Sequence, residues 1–161
     1  MGYYTRFYGF EMKWAPEAVE QGKNTITLDD FITIGKSFLV AMTEGLSHIN
    51  PSEEESRYSQ FKNIEKELTE QWKGYEMMNR INLFELSDLI DSYIDDVYKW
   101  YDAVDFFIDL SAHFPNIVFS IMGDGEDYED NWKLYAKDGQ TQCVDGVMAY
   151  PEPAAYFDSV E

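Results

Sequence analysis

Seven acidic residues recur along one stretch of the chain: Glu85, Asp88, Asp91, Asp95, Asp102, Asp105 and Asp109. Their spacings of 3, 3, 4, 7, 3 and 4 residues place them on one side of an α-helix. As one helix the stretch spans about 36 Å at ~1.5 Å per residue, so a carboxylate recurs every ~5 Å or so. Phosphates recur every ~3.4 Å along a DNA strand. The chemistry on offer is electrostatic: carboxylates on a rigid support, where a basic protein expects phosphates. A plain solvated helix face would normally mix Lys and Arg among its acids to gain i,i+4 pairs. Here Lys99 is the only base between Glu85 and Asp109.

A second cluster follows in Gly123–Asp130, with Asp124, Glu126, Asp127, Glu129 and Asp130. Such a loop could hold a divalent cation. It lacks the calcium-loop order of alternating Asp residues, a Gly, and a Glu six residues later. No metal is assigned to it, and a partner contact is the preferred reading. Gly123 and Gly125 suggest positive-φ positions rather than phosphate cradling, since a phosphate-binding loop would not be filled with carboxylates.

Other chemistry is sparse. His48 and His113 each follow an apolar helix face, near a C-terminus that favours positive charge, so capping is their expected role. Ser111 and His113 are two apart and point to different faces of a helix, which removes the one Ser-His pairing in reach. Tyr3, Tyr4, Phe7, Tyr8 and Trp14 could stack on bases. Their only basic neighbours are Arg6 and Lys13, so they read as core and sheet surface.

These residues need elements to hold them. Gly2–Trp14 alternates as a strand with aromatics on both parities, as for a central strand partly covered on both sides. Pro16 to Asn24 reads as a loop. Thr27 with Asp30 makes a capping box before Phe31, Ile34, Phe38, Met42, Leu46 and Ile49 at helical spacing. Gly35 and Gly45 weaken that helix slightly. Asn50-Pro51 opens a second helix, with Tyr58, Phe61, Ile64, Leu68, Trp72, Tyr75 and Met78 on its apolar face. Asn82 caps a third stretch carrying the acidic row, with Leu86, Leu89, Ile90, Tyr93, Val97, Tyr101, Val104, Phe107 and Ile108 opposite. Periodicity fits one helix to His113 or two with a bend near Lys99–Tyr101, and Pro115 ends it. Asn116–Met122 is a buried strand. Trp132–Lys137 and Gln140–Val144 flank Asp138-Gly139, a hairpin signal. Val147–Tyr150 can prolong the last strand, and the tail from Pro151 is irregular. The sum is a single α+β domain over 1–161. Its four-stranded antiparallel sheet, the N-terminal strand plus a C-terminal meander, packs with three or four helices.

Composition sets limits. The formal charge is -19, from 31 acids and 12 bases. Residues 1–81 hold 13 acids and 9 bases, while residues 82–161 hold 18 acids and 3 bases. Such a surface repels nucleic acid and anionic membrane and attracts basic proteins. Aromatics at 17% argue for a packed core despite the charge. The single Cys143 excludes an intramolecular disulfide and a Cys-rich zinc site. Met1–Trp14 lacks the basic start and apolar run of a signal peptide, and no run approaches the ~20 apolar residues of a membrane span. A cytoplasmic chain is therefore expected.

The opening Met1–Glu11 (MGYYTRFYGFE) resembles the start of small uncharacterised proteins of bacteriophages and prophages. The likeness extends to Lys99-Trp100-Tyr101-Asp102, to Ile117–Gly125 with Glu126 and Asp130, and to the strand–Asp-Gly–strand hairpin. It covers roughly the first 14 and last 65 residues, and nothing in about 25–95. It implies a mobile-element origin and an α+β fold, and brings no enzymatic residues. Small acidic phage proteins of this kind are often inhibitors of host defence, anti-CRISPR and anti-restriction proteins among them. Together with the charge, this gives the expected function: a stoichiometric, non-enzymatic inhibitor without cofactor, occupying the basic nucleic-acid channel of a defence nuclease such as a CRISPR effector. The stripe Glu85 to Asp109 and the loop Asp124 to Asp130 would make the contact. The alternatives are a phage structural or regulatory interaction module, whose acid serves solubility, and a metal-dependent enzyme built on the acidic loop.

Overall fold

The computed structural model describes residues 5–44, 63–94, 97–98, 102–125 and 131–145. Along the chain these form β1 (Thr5–Trp14), α1 (Pro16–Glu20), α2 (Leu28–Glu44), α3 (Ile64–Met77), α4 (Leu83–Asp91), β2 (Val97–Tyr98), α5 (Ala103–His113), β3 (Ile117–Asp124), β4 (Asn131–Lys137) and β5 (Gln140–Asp145). The sheet order is β2-β1-β3-β4-β5, antiparallel throughout. The four long strands are the expected N-terminal strand and C-terminal meander. The two-residue β2 adds a fifth at the β1 edge, pairing Val97 with Arg6 and Tyr98 with Thr5.

Aromatics on both parities of β1 have a local cause. The β1–β3 register shifts between Tyr8 and Glu11, and Gly9 takes φ +65°. This bulge moves the buried set from Thr5 and Phe7 to Phe10 and Met12. Both sets therefore face the same core, and cover on two faces is not needed to explain them. A side chain at Gly9 would also run into Met122, across the sheet on β3.

The helices supply one apolar face each. The capping box at α2 is reciprocal: Thr27 N donates to Asp30 Oδ2 at 3.3 Å, and Asp30 N donates to Thr27 Oγ1 at 3.1 Å. Phe31, Ile34, Phe38 and Met42 of α2 are buried, as are Ile64, Leu68 and Trp72 of α3. Gly35, read above as a weak point, is a contact point. A Cβ there would lie 2.8 Å from Leu68 Cδ1, so its lack of a side chain lets α3 approach α2. Met78 is exposed, because α3 ends at Met77 and the chain turns through Asn79 at φ 56°. The stretch from Pro16 is a short helix rather than a loop, with Pro16 at its first position and Ala18 buried. Leu46, Ile49, His48, Tyr58, Phe61, Tyr101, Val147–Tyr150 and the tail lie outside the described residues.

Candidate functional site

The acidic row does not lie on one helix. It is divided between α4, which ends at Asp91, and α5, which begins at Ala103, with β2 between them, so the stretch is not one helix. The two helices also dock at different places. Helix α4 packs on β1, whereas α5 packs over β4 and β5 and more lightly on β3. From β1 to β4 is two strand spacings, about 10 Å, which ends the idea of one straight phosphate-like ladder.

On α4, Asn82 caps the helix as expected, its Oδ1 accepting from Glu85 N at 2.9 Å. Glu85 is half-buried beside that cap, and Asp88 is exposed. Asp91 turns inward. Its Oδ1 accepts from Phe10 N at 2.9 Å. One turn earlier, Ser87 Oγ accepts from Met12 N at 2.8 Å and donates to Leu83 O at 2.6 Å. The N–H groups of residues 10 and 12 are two strand residues apart, about 6.6 Å, and Ser87 and Asp91 are one helical turn apart, about 6 Å along the axis. The matched periods let α4 replace the missing neighbour strand along this edge of β1. Burial pushes the Asp91 carboxyl up. The Phe10 N–H opposes that, Asp88 adds to it, and the Gly9 N–H opposes again. Asp91 is therefore engaged by the chain's own backbone, and does not join a partner-facing stripe.

On α5, Asp102 sits at the N-cap position, Asp105 in the first turn and Asp109 one turn on, all exposed. Their opposite side is buried through Ala103, Phe107, Leu110 and Ser111. Among the described residues the ion pairs are Lys13–Glu11 at 3.0 Å, Lys36–Glu65 at 3.3 Å and Lys137–Glu17. None involves Asp88, Asp102, Asp105 or Asp109. Beside Asp109 a cavity of about 230 Å³ opens between α2 and α5, lined by Thr33, Ser37, Phe106, Leu110, His113 and Phe114. Sequence reasoning missed this cavity, because it depends on how α2 crosses α5. The adjacent Phe106-Phe107 pair was its only local sign, with Phe107 filling the core and Phe106 left at the rim. His113 Nδ1 lies 3.3 Å from Asp109 O, in keeping with a capping role at the helix end. Ser111 Oγ donates to Ile108 O and accepts from Gly139 N at 3.0 Å, so it anchors the β4–β5 turn.

Asp124 ends β3 on the sheet face away from the helices, where it accepts from Tyr8 OH at 3.2 Å. Burial, then the Asp124 charge and hydrogen bond, raise the Tyr8 pKa, with Arg6 opposing. Asp95, Glu126, Asp127, Glu129 and Asp130 lie outside the described residues. Among the described residues no three His, Cys, Asp or Glu side chains group to hold a metal. No described helix is long and apolar enough to cross a membrane. No family model, curated protein or solved structure matches the chain.

Proposed function

We propose that this chain is a non-catalytic protein ligand for a basic nucleic-acid-binding protein, and that it competes with nucleic acid for that protein's surface. The observation that carries the reading is on α5: Asp102, Asp105 and Asp109 stand exposed along one face, unpaired among the described residues, next to an apolar cavity. Unpaired like charges at i,i+3 and i,i+4 are mildly unfavourable to a helix, which offsets part of what Asp102 and Asp105 gain from their places at its N-terminus. A partner's Lys and Arg would relieve that repulsion, and an apolar side chain in the cavity would anchor the contact. Asp88 and Glu85 form a separate, smaller acidic site on α4. The resemblance to phage proteins narrows the proposed partner to a bacterial defence nuclease, of which a CRISPR effector is the leading case.

The test is a competition experiment. The chain should displace a labelled oligonucleotide from a CRISPR effector nuclease, less well as salt rises. The triple variant Asp102→Asn, Asp105→Asn, Asp109→Asn should lose at least about tenfold in affinity if each charge contact contributes ~0.5 kcal/mol or more. Unchanged displacement by the triple variant rejects the assignment of α5.

A further inference from the structure

We propose that Asp138-Gly139 is a latent self-modification site, an aspartate able to become isoaspartate, and that Ser111 of α5 holds it closed. The sequence contains three Asp-Gly pairs: Asp124-Gly125, Asp138-Gly139 and Asp145-Gly146. Such pairs are chemically labile, because the glycine has no side chain to shield its own amide nitrogen. That nitrogen attacks Cγ of the protonated aspartate. The N–Cγ bond forms, the Cγ–OH bond breaks, and the amide proton leaves with the hydroxyl as water. Water then opens the five-membered imide. Opening at Cγ restores aspartate, and opening at the main-chain carbonyl carbon gives isoaspartate. The mass is unchanged and the backbone gains one methylene.

Two features of the turn favour the reaction. Asp138 is exposed, so water reaches the imide. It also sits at φ 50°, in the left-handed region that suits glycine better than a residue with a Cβ, and an added methylene removes that constraint. One contact opposes it. Gly139 N, the attacking atom, donates to Ser111 Oγ at 3.0 Å. The same oxygen donates to Ile108 O at 3.1 Å, and Ser111 is fully buried, so the acceptor cannot follow the turn outward. Ring closure must swing Gly139 N away from Ser111 and towards Asp138 Cγ, which breaks the bond. The turn has little slack for this. Lys137 and Gln140 pair directly across it, and Lys137 Nζ pairs with Glu17 of α1. A Cβ on Gly139 would lie 3.6 Å from Ala112 Cβ, so α5 also backs the turn.

Ser111 is an unusual choice for its place. Alanine forms helices better, and a buried hydroxyl costs stability unless it is hydrogen-bonded. Here its bonds go to Ile108 O, within the helix, and to the one N–H of the turn that the reaction needs as nucleophile. The hydroxyl thus positions the reacting atom away from its target. Lifting the C-terminal turn of α5 off the hairpin frees Gly139 N and opens the site. Once formed, isoaspartate lengthens a two-residue turn, so Lys137 and Gln140 no longer meet across it and the hairpin opens from that end.

The full chain, incubated at mildly acidic pH and digested, can be read by electron-transfer fragmentation, which tells isoaspartate from aspartate at equal mass. Asp124 and Asp145 serve as references within the same chain. Ser111→Ala should convert Asp138 about fivefold faster than the unaltered chain, the factor that one neutral hydrogen bond is worth, with the two reference sites unchanged. An unchanged rate at Asp138 overturns the proposal. So does an equal rise at all three pairs in a variant that keeps its native circular dichroism, since that reports general loosening rather than loss of a local hold. A second measurement needs no variant. In the unaltered chain the Gly139 amide proton should exchange with solvent at least about fivefold more slowly than in the chain unfolded by guanidinium. Exchange at the unfolded rate shows that Ser111 does not hold the nitrogen, and overturns the proposal even if Ser111→Ala fails to fold.

Discussion

At Asp91 a side chain that periodicity assigns to a solvent-facing row closes a gap in the sheet instead. Its role makes two predictions. Asp91→Ala leaves Phe10 N without its acceptor in a half-buried place and should cost about 1–3 kcal/mol. Asp91→Asn keeps an acceptor oxygen and should cost much less, both read from urea midpoints. The pH dependence follows from burial, the largest influence on this group, which raises its pKa above the ordinary 3.8. The folded state then holds the Asp91 proton more tightly than the unfolded chain does. Asp91 therefore favours folding most below pH 3.8, and its contribution falls as pH rises from there through the raised value. The stability of the native chain relative to Asp91→Asn should shrink over that interval. A difference that grows with pH would show that the hydrogen bonds from Phe10 and Gly9 outweigh burial.

At the scale of elements, sequence reading succeeds where one local pattern meets one partner. The Thr27–Asp30 box, the Asn82 cap and the Asp138-Gly139 turn are each complete within a few residues, and each forms as expected. It falls short where a tertiary contact reassigns a residue. The acids of α4 and α5 keep a common period because both helices bury their apolar faces in one core, so the row reads as continuous across a break that β2 occupies. Gly35 reads as a weak helix residue because its meaning lies in Leu68, more than thirty positions away. Gly35→Ala should accordingly destabilise the chain by about 1–3 kcal/mol through crowding, although Ala is the better helix former. Shortening the neighbour in the pair Gly35→Ala, Leu68→Val should recover part of that loss. If both single variants simply add, the contact between α2 and α3 is not where the crowding acts.

Across the whole molecule, charge is segregated as well as abundant. Strand alternation puts Arg6, Lys13, Lys133 and Lys137 on the open face of the sheet, with Arg6 5.4 Å from the centre of the Tyr8 ring and Lys133 5.0 Å from that of Tyr135. Lys13 and Lys137 there already pair with Glu11 and Glu17. On α4 and α5 the exposed acids have no such partners among the described residues. Among the described residues the acid surplus is thus held mainly by the helices, where repulsion between neighbouring carboxylates opposes the fold and is screened only by salt. Thermal stability should therefore rise from low to moderate salt, the reverse of what a protein held by surface ion pairs would show. Replacing Asp102, Asp105 and Asp109 by Asn should flatten this rise. It should also leave low-salt stability unchanged or slightly higher, because the favourable positions of Asp102 and Asp105 near the α5 N-terminus offset part of the relief. Melting curves of both chains across a salt series check this. A melting temperature that drops sharply in the triple variant would mean that the three acids hold the fold together, and would remove the ground for reading them as a surface kept for a partner.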